Sequence, residues 1–194
     1  MKETARRLAG YDRAVYRSVA RLSTPHLDEP LRQVSDFADL SKPWFLVSGA
    51  VVLLGGTRGR QAAVAGLTAI GAASLVVNQL LKKMVGESHR PDRDGLGVPR
   101  QRWVHMPTSG SFPSGHSASA VAFAVAVGDV LPVLRPALRV GASVVAFSRV
   151  YTGVHYPSDV VVGAAVGALS GRLAVRLVLR RWPPSTGEPA QRDH

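Results

Sequence analysis

Hydrophobic positions along this chain fall into blocks rather than periodic stripes. Residues 44–56 carry no charge. Residues 62–81 carry none either, and this run matches the roughly 20 residues that a helix needs to cross a hydrocarbon core. Residues 117–134 are apolar apart from Asp129, residues 138–150 apart from Arg139 and Arg149, and residues 160–179 apart from Arg172 and Arg176. Charged residues gather between the blocks and at their ends, as the cost of burying charge in lipid requires. The pattern predicts an all-α, polytopic transmembrane bundle of about five spanning helices over residues 43–182. The first and fourth blocks are short, so their helices must extend at the ends or pack inside the bundle.

The first 42 residues read differently. Leu8, Tyr11, Val15, Val19 and Leu22 recur at spacings of three and four, while Arg6, Arg7, Arg13, Arg17 and Arg21 occupy the remaining positions. That arrangement predicts an amphipathic helix lying in the membrane interface, its basic face toward lipid phosphates. A second amphipathic stretch, residues 27–40, leads into the first block. Residues 183–194 read as a flexible polar tail. Gly163, Gly167 and Gly171 make a small-residue stripe on the last predicted helix, expected to serve close packing within the monomer rather than a dimer seam.

Composition narrows the function. The chain is 46% hydrophobic and 19% charged, with no cysteine, which excludes a disulfide-stapled module and a thiolate metal site. Its net charge of +11 suits anionic partners. The blocks choose among these, pointing to membrane lipid and not to nucleic acid. Oligomeric state is not legible.

Three polar segments adjoin the blocks: Lys83 to Pro91 after the second, Pro113-Ser114-Gly115-His116 at the entry to the third, and Ser148-Arg149 through His155 to Asp159 at the entry to the fifth. Helices two and three are joined by the loop over residues 82–112, and helices three and four return the chain to the same side. All three segments are therefore expected at one membrane face. Lys83, Arg90 and Arg149 offer three cations to a group that spreads charge over three oxygens. Ser114 and Gly115 open a helix, where free N–H groups bind anions. His155 and Asp159 stand four apart around Pro157, so the carboxylate can hold one imidazole nitrogen and free the other to attack phosphorus. His116 is then available to protonate the leaving oxygen.

These segments resemble the signature of the type 2 phosphatidic acid phosphatase superfamily: K-x6-R-P at Lys83, Arg90 and Pro91, P-S-G-H at Pro113 to His116, and S-R-x5-H-x3-D at Ser148, Arg149, His155 and Asp159. The resemblance covers residues 40–179. It implies a phosphohistidine on His155, oriented by Asp159, with His116 as general acid. It implies a phosphate cradle of Lys83, Arg90, Ser114, Gly115 and Arg149, with no metal and no cofactor. His89, Arg100 and Arg102, in the long loop on the active side, are possible headgroup contacts. The expected activity is hydrolysis of a phosphate monoester or pyrophosphate on a lipid: a polyprenyl phosphate or pyrophosphate, phosphatidate, phosphatidylglycerol phosphate or a phosphorylated sugar-lipid. Two alternatives are a vanadium-dependent haloperoxidase-like enzyme and a non-enzymatic membrane scaffold or transporter with a phosphate pocket. The spanning blocks argue against the first, and the complete histidine–aspartate set against the second. Counting Lys and Arg by the positive-inside rule would make the active side cytoplasmic. Analogy to bacterial family members instead implies the extracytoplasmic face of the plasma membrane, and that reading is taken.

Overall fold

The computed structural model describes residues 2–85 and 90–183, and among these no strand occurs. In chain order the helices are α1 (Lys2–Ala20), α2 (Pro25–Phe37), α3 (Lys42–Leu54), α4 (Gly56–Val85), α5 (Gly115–Val130), α6 (Arg135–Tyr151) and α7 (Pro157–Arg181). Each of the five apolar blocks falls wholly or mostly in one of the helices α3 to α7. A proline occupies the first turn of α2, α3, α6 and α7, where its missing N–H would be unpaired anyway. Ser114 caps α5, its side chain accepting the N–H of Ser117.

α5 is the axis of the bundle and packs against α4, α6 and α7. Ala118, Ala120, Ala122, Phe123, Ala124, Ala126 and Val127 are all buried, so the helix is covered all round. Its alanines let neighbouring backbones approach, and the glycines opposite let them approach further. A Cβ on Gly163 would lie 2.4 Å from the Ser114 carbonyl oxygen, one on Gly167 2.3 Å from that of Ala118, and one on Gly171 2.7 Å from that of Ala122. The small-residue stripe is thus the α7–α5 seam inside the monomer.

α4, at 30 residues, and α7, at 25, are long and apolar enough to cross a membrane. α2 and α3 together would make a third span, although their axes bend by 68°. α5 is apolar but only 16 residues long, about 24 Å at 1.5 Å per residue, which is short of a hydrocarbon core of about 30 Å. A helix wrapped by its neighbours need not reach both surfaces. Leu53, Leu54, Leu169, Leu173 and Leu177 are exposed on the outer faces of α3 and α7, as lipid contact requires.

The N-terminal helix leaves much of its predicted apolar face exposed and docks on the bundle through other residues. Tyr11 and Val15 are 72% and 51% exposed. Tyr16 and Ala20 instead enter a core cluster with Val98 and Val150. The reason is local: the Tyr16 hydroxyl donates to the Gly153 carbonyl at 3.2 Å, and Asp12 caps α7 by accepting from the Ser158 N–H and hydroxyl. α1 is therefore docked on the turn between α6 and α7. That turn needs Gly153, which sits at φ 76° with the Tyr16 hydroxyl only 2.8 Å from where a Cβ would stand.

Candidate active site

His155 follows this turn and opens toward α7, which carries Asp159 one helical turn on. Both are buried, at 2% and 3% exposure. Asp159 Oδ2 gathers donors: the Tyr156 N–H at 3.0 Å, the Ser111 hydroxyl, and His155 Nδ1 at 3.3 Å. An acceptor at Nδ1 fixes the proton there and leaves the lone pair on Nε2. Arg90 Nη1 lies 3.5 Å from that Nε2 and donates to the Val154 carbonyl at 2.8 Å. Burial holds the His155 imidazole below the ordinary histidine value. The Asp159 carboxylate pulls the other way, and the charges of Arg149 and Arg90 add to the lowering. The ring is thus held in its neutral form near neutral pH.

A cavity of about 170 Å³ opens in front of His155. His116 and Gly115 line it from the first turn of α5, Arg90 from the loop, and Asn78 and Lys82 from α4. Ala38, Leu40 and Ser41 form a further part of its lining, between α2 and α3. The three polar segments, distant in sequence, thus meet here. Ser114 completes the junction of α5 and α7, its N–H bonded to the Asp159 carbonyl at 2.9 Å.

Individual residues depart from the motif reading. Lys83 is exposed and does not line the cavity; Lys82 does, with its ammonium 3.2 Å from Ser109 Oγ. Lys82 takes its register from a π-helical segment, Leu75–Leu81, after which the Lys82 N–H bonds to the Val77 carbonyl five residues back. In an α-helix Leu81 would close that bond above buried Val77; in the π-turn Lys82 does. Ser114 is fully buried, its hydroxyl occupied by Ser117, and it does not line the cavity. Ser148 is likewise buried and donates to the Val145 carbonyl at 2.7 Å. Arg149 is 1% exposed. Its Nη1 donates to the Ser35 carbonyl and hydroxyl, while its buried Nε has no partner among the described residues, and the guanidinium charge acts on His155.

The expected headgroup contacts fare differently. Arg102 is 2% exposed and fully engaged: it pairs with Asp28 at 2.7 Å, donates to the Val19, Ala20 and Leu22 carbonyls, and stacks 4.1 Å over the Tyr151 ring. It clasps the carbonyl end of α1, which attracts cations, and cannot also reach a headgroup. Arg100 is exposed, faces Asp94 at 3.8 Å and the Trp103 ring, and stands outside the cavity lining. His89 lies outside the described residues.

Sequence reading missed Ser111, Asn78, Lys82 and Asp39. Asp39 Oδ1 lies 2.7 Å from His116 Nε2. Ser111 had one available signal, its place two residues before the P-S-G-H segment. Asp39 had another, as an acid beside an apolar block in a strongly basic chain.

This chain is similar to several known proteins. The PAP2 superfamily profile matches residues 62–183. A decaprenylphosphoryl-5-phosphoribose phosphatase of Mycobacterium tuberculosis is 35% identical over 148 residues, covering 75% of this chain and 77% of that protein. A lipid A 1-phosphatase of Rhizobium etli is 38% identical over 104 residues, 50% of this chain and 42% of that protein. Among solved structures, the transmembrane PAP2-type phosphatidylglycerolphosphate phosphatase of Bacillus subtilis superposes with a TM-score of 0.66 at 28% identity, covering 89% of this chain and 87% of that one. Aquifex aeolicus LpxE superposes with a TM-score of 0.65 at 23% identity, over 84% and 93% of the two chains, a likeness of fold.

Proposed function

The chain belongs to the PAP2 superfamily, and from that membership and the cavity geometry we propose that it is a membrane-embedded lipid phosphatase working through a phosphohistidine. The observation that carries this reading is the direction of His155: Nδ1 tied to Asp159, Nε2 turned to Arg90 at the cavity. In the first step Nε2 bonds to phosphorus while the bond from phosphorus to the leaving oxygen breaks. The proton on His116 passes to that oxygen. In the second step water attacks the phosphohistidine, gives its proton to His116, and the N–P bond breaks to release inorganic phosphate. Lys82, Arg90, Arg149 and the free N–H groups at the start of α5 stabilise the equatorial oxygens. No step requires a metal ion or cofactor.

The substrate class follows from the relatives and the setting. The mycobacterial relatives act on decaprenylphosphoryl-5-phosphoribose, and their match extends over three quarters of this chain. A polyprenyl-linked sugar carrying a terminal phosphate monoester is therefore the first substrate to test. For the site we propose the extracytoplasmic face of the plasma membrane. The deciding experiment measures phosphate released in detergent from polyprenylphosphoryl phosphoribose, phosphatidate, phosphatidylglycerol phosphate and polyprenyl pyrophosphate. Release from at least one, abolished in His155→Ala, supports the reading. Absence of release from all four overturns it.

A further inference from the structure

Two histidines at this cavity each have a carboxylate partner, and the carboxylate of the second pair, Asp39, lies outside the three motif segments. Asp39 Oδ1 lies 2.7 Å from His116 Nε2, with side-chain exposures of 50% for Asp39 and 23% for His116. Asp39 comes from the break between α2 and α3. Immediately after it, Leu40 and Ser41 adopt φ values of 55° and 60°. Two successive non-glycine residues in the left-handed region persist only where surrounding structure over-determines them, and such strain gathers at functional sites. Here the strained residues themselves line the cavity. The break turns the chain by 68° and sets Asp39 against the first turn of α5.

We propose that Asp39 is the positioning residue of the general acid: it holds His116 by Nε2, directs the other ring nitrogen into the cavity, and stabilises the imidazolium from which the leaving oxygen takes its proton. This inference rests on the lipid-phosphatase reading. The chemistry is that of a paired histidine: a carboxylate on one nitrogen selects tautomer and ring orientation and favours the charged ring. The cations Arg149 and Lys82 act on His116 from α6 and α4, and Lys42 acts on Asp39 from α3. Asp39 is the carboxylate that opposes them at this ring. Without it, burial and the two positive charges of Arg149 and Lys82 would disfavour, unopposed, the protonated form that the acid step uses. The N-terminal segment thereby contributes to the chemistry.

The test compares Asp39→Asn and Asp39→Glu with the unchanged full-length protein in detergent, reading kcat/KM, which reports the steps through cleavage of the ester. Two substrates are used: a lipid phosphate whose alkoxide leaves poorly, and p-nitrophenyl phosphate, whose leaving group needs little proton help. Asp39→Asn should lose roughly 10- to 100-fold on the lipid ester, the range for removing such an orienting partner, and less than about 3-fold on the activated ester. The alkaline limb of the lipid profile should move to lower pH, because His116 without its carboxylate gives up its proton sooner. Asp39→Glu should recover much of the lipid activity. The activated ester doubles as a control for folding, since it needs the same cavity. Equal loss on both esters, an unmoved alkaline limb, or no difference between Asn and Glu would overturn the role of Asp39. Failure of the parent reading looks different: the unchanged protein would release no phosphate from any lipid ester.

Discussion

Asp12, near the start of the chain, accepts both the N–H and the hydroxyl of Ser158, at 2.9 and 2.6 Å, and so caps the helix that carries Asp159. An acidic cap at a helix N-terminus contributes about 0.5–2 kcal/mol. Here it also fixes the helix end on which the nucleophile is oriented. Deleting residues 1–22 would remove this cap, the Tyr16 contact with Gly153 and the carbonyls that Arg102 grips. Activity should fall on soluble and bilayer substrates alike, and Asp12→Ala should reproduce a part of the loss. Phosphate release on a short-chain substrate checks this. Loss confined to the bilayer substrate would mean that α1 serves membrane contact and not the site.

The two histidines should fail at different steps. His155→Ala should neither turn over nor take label from a phosphate-labelled substrate under alkaline quench. His116→Ala should be slow on lipid alcohols and regain about 10²–10⁴-fold on a nitrophenyl ester. Stable label on the His155→Ala protein would reverse the assignment.

Burial lowers the value of His155, so the neutral nucleophile should persist to lower pH than an ordinary histidine near 6.5. The acid limb of kcat/KM, corrected for the second ionisation of the substrate near about 6, should lie below that value. Arg149 adds to the lowering, so Arg149→Gln should shift the limb upward while also weakening turnover. A limb above the ordinary histidine value would contradict the burial argument.

Lys82 and Lys83 separate helix register from motif spacing. Lys82→Ala should lower kcat/KM by roughly 10- to 100-fold, as expected for losing a charged hydrogen bond worth about 1.5–3 kcal/mol. Lys83→Ala should stay within about 3-fold. The opposite ranking would show that the lysine at the motif position is the one that meets phosphate.

Arg102 should behave as a structural residue. Removing it leaves Asp28 and three carbonyl oxygens without their cation, and breaking a buried pair costs about 3–5 kcal/mol. Arg102→Ala should therefore lower the unfolding midpoint strongly. If the protein kept its midpoint and lost only affinity for lipid, the headgroup role would be restored.

The contrast between these residues shows what the chain discloses in one dimension. The motif segments and helix blocks are legible because each is local: an apolar run must be buried, and a proline or serine at a helix start states where the helix begins. The meeting of His155, His116 and Arg90 follows from counting membrane crossings. Tyr16, Asp12 and Asp39 are not legible, because they act across more than 75 residues. Their partners are decided by how the N-terminal segment folds back, and its own periodicity points to Tyr11 and Val15 instead. Arg102 looks like any loop cation until the carbonyls of α1 are seen around it. The lysine register is hidden for a different reason: a π-turn has no strong composition signal, and tertiary packing selects it.

That π-turn gives α4 one residue more than an α-helix would need to join Val77 to Lys82. A helix with such a surplus can change length without moving either end. Deleting a single residue between Val77 and Lys82 should close an ordinary α-turn, keep the lysine over Val77, and leave the cavity in place. Inserting one there should swing the lysine outward. The segment is thus a place where descendants of this chain can lose a residue inside a membrane helix, with deletion tolerated and insertion penalised.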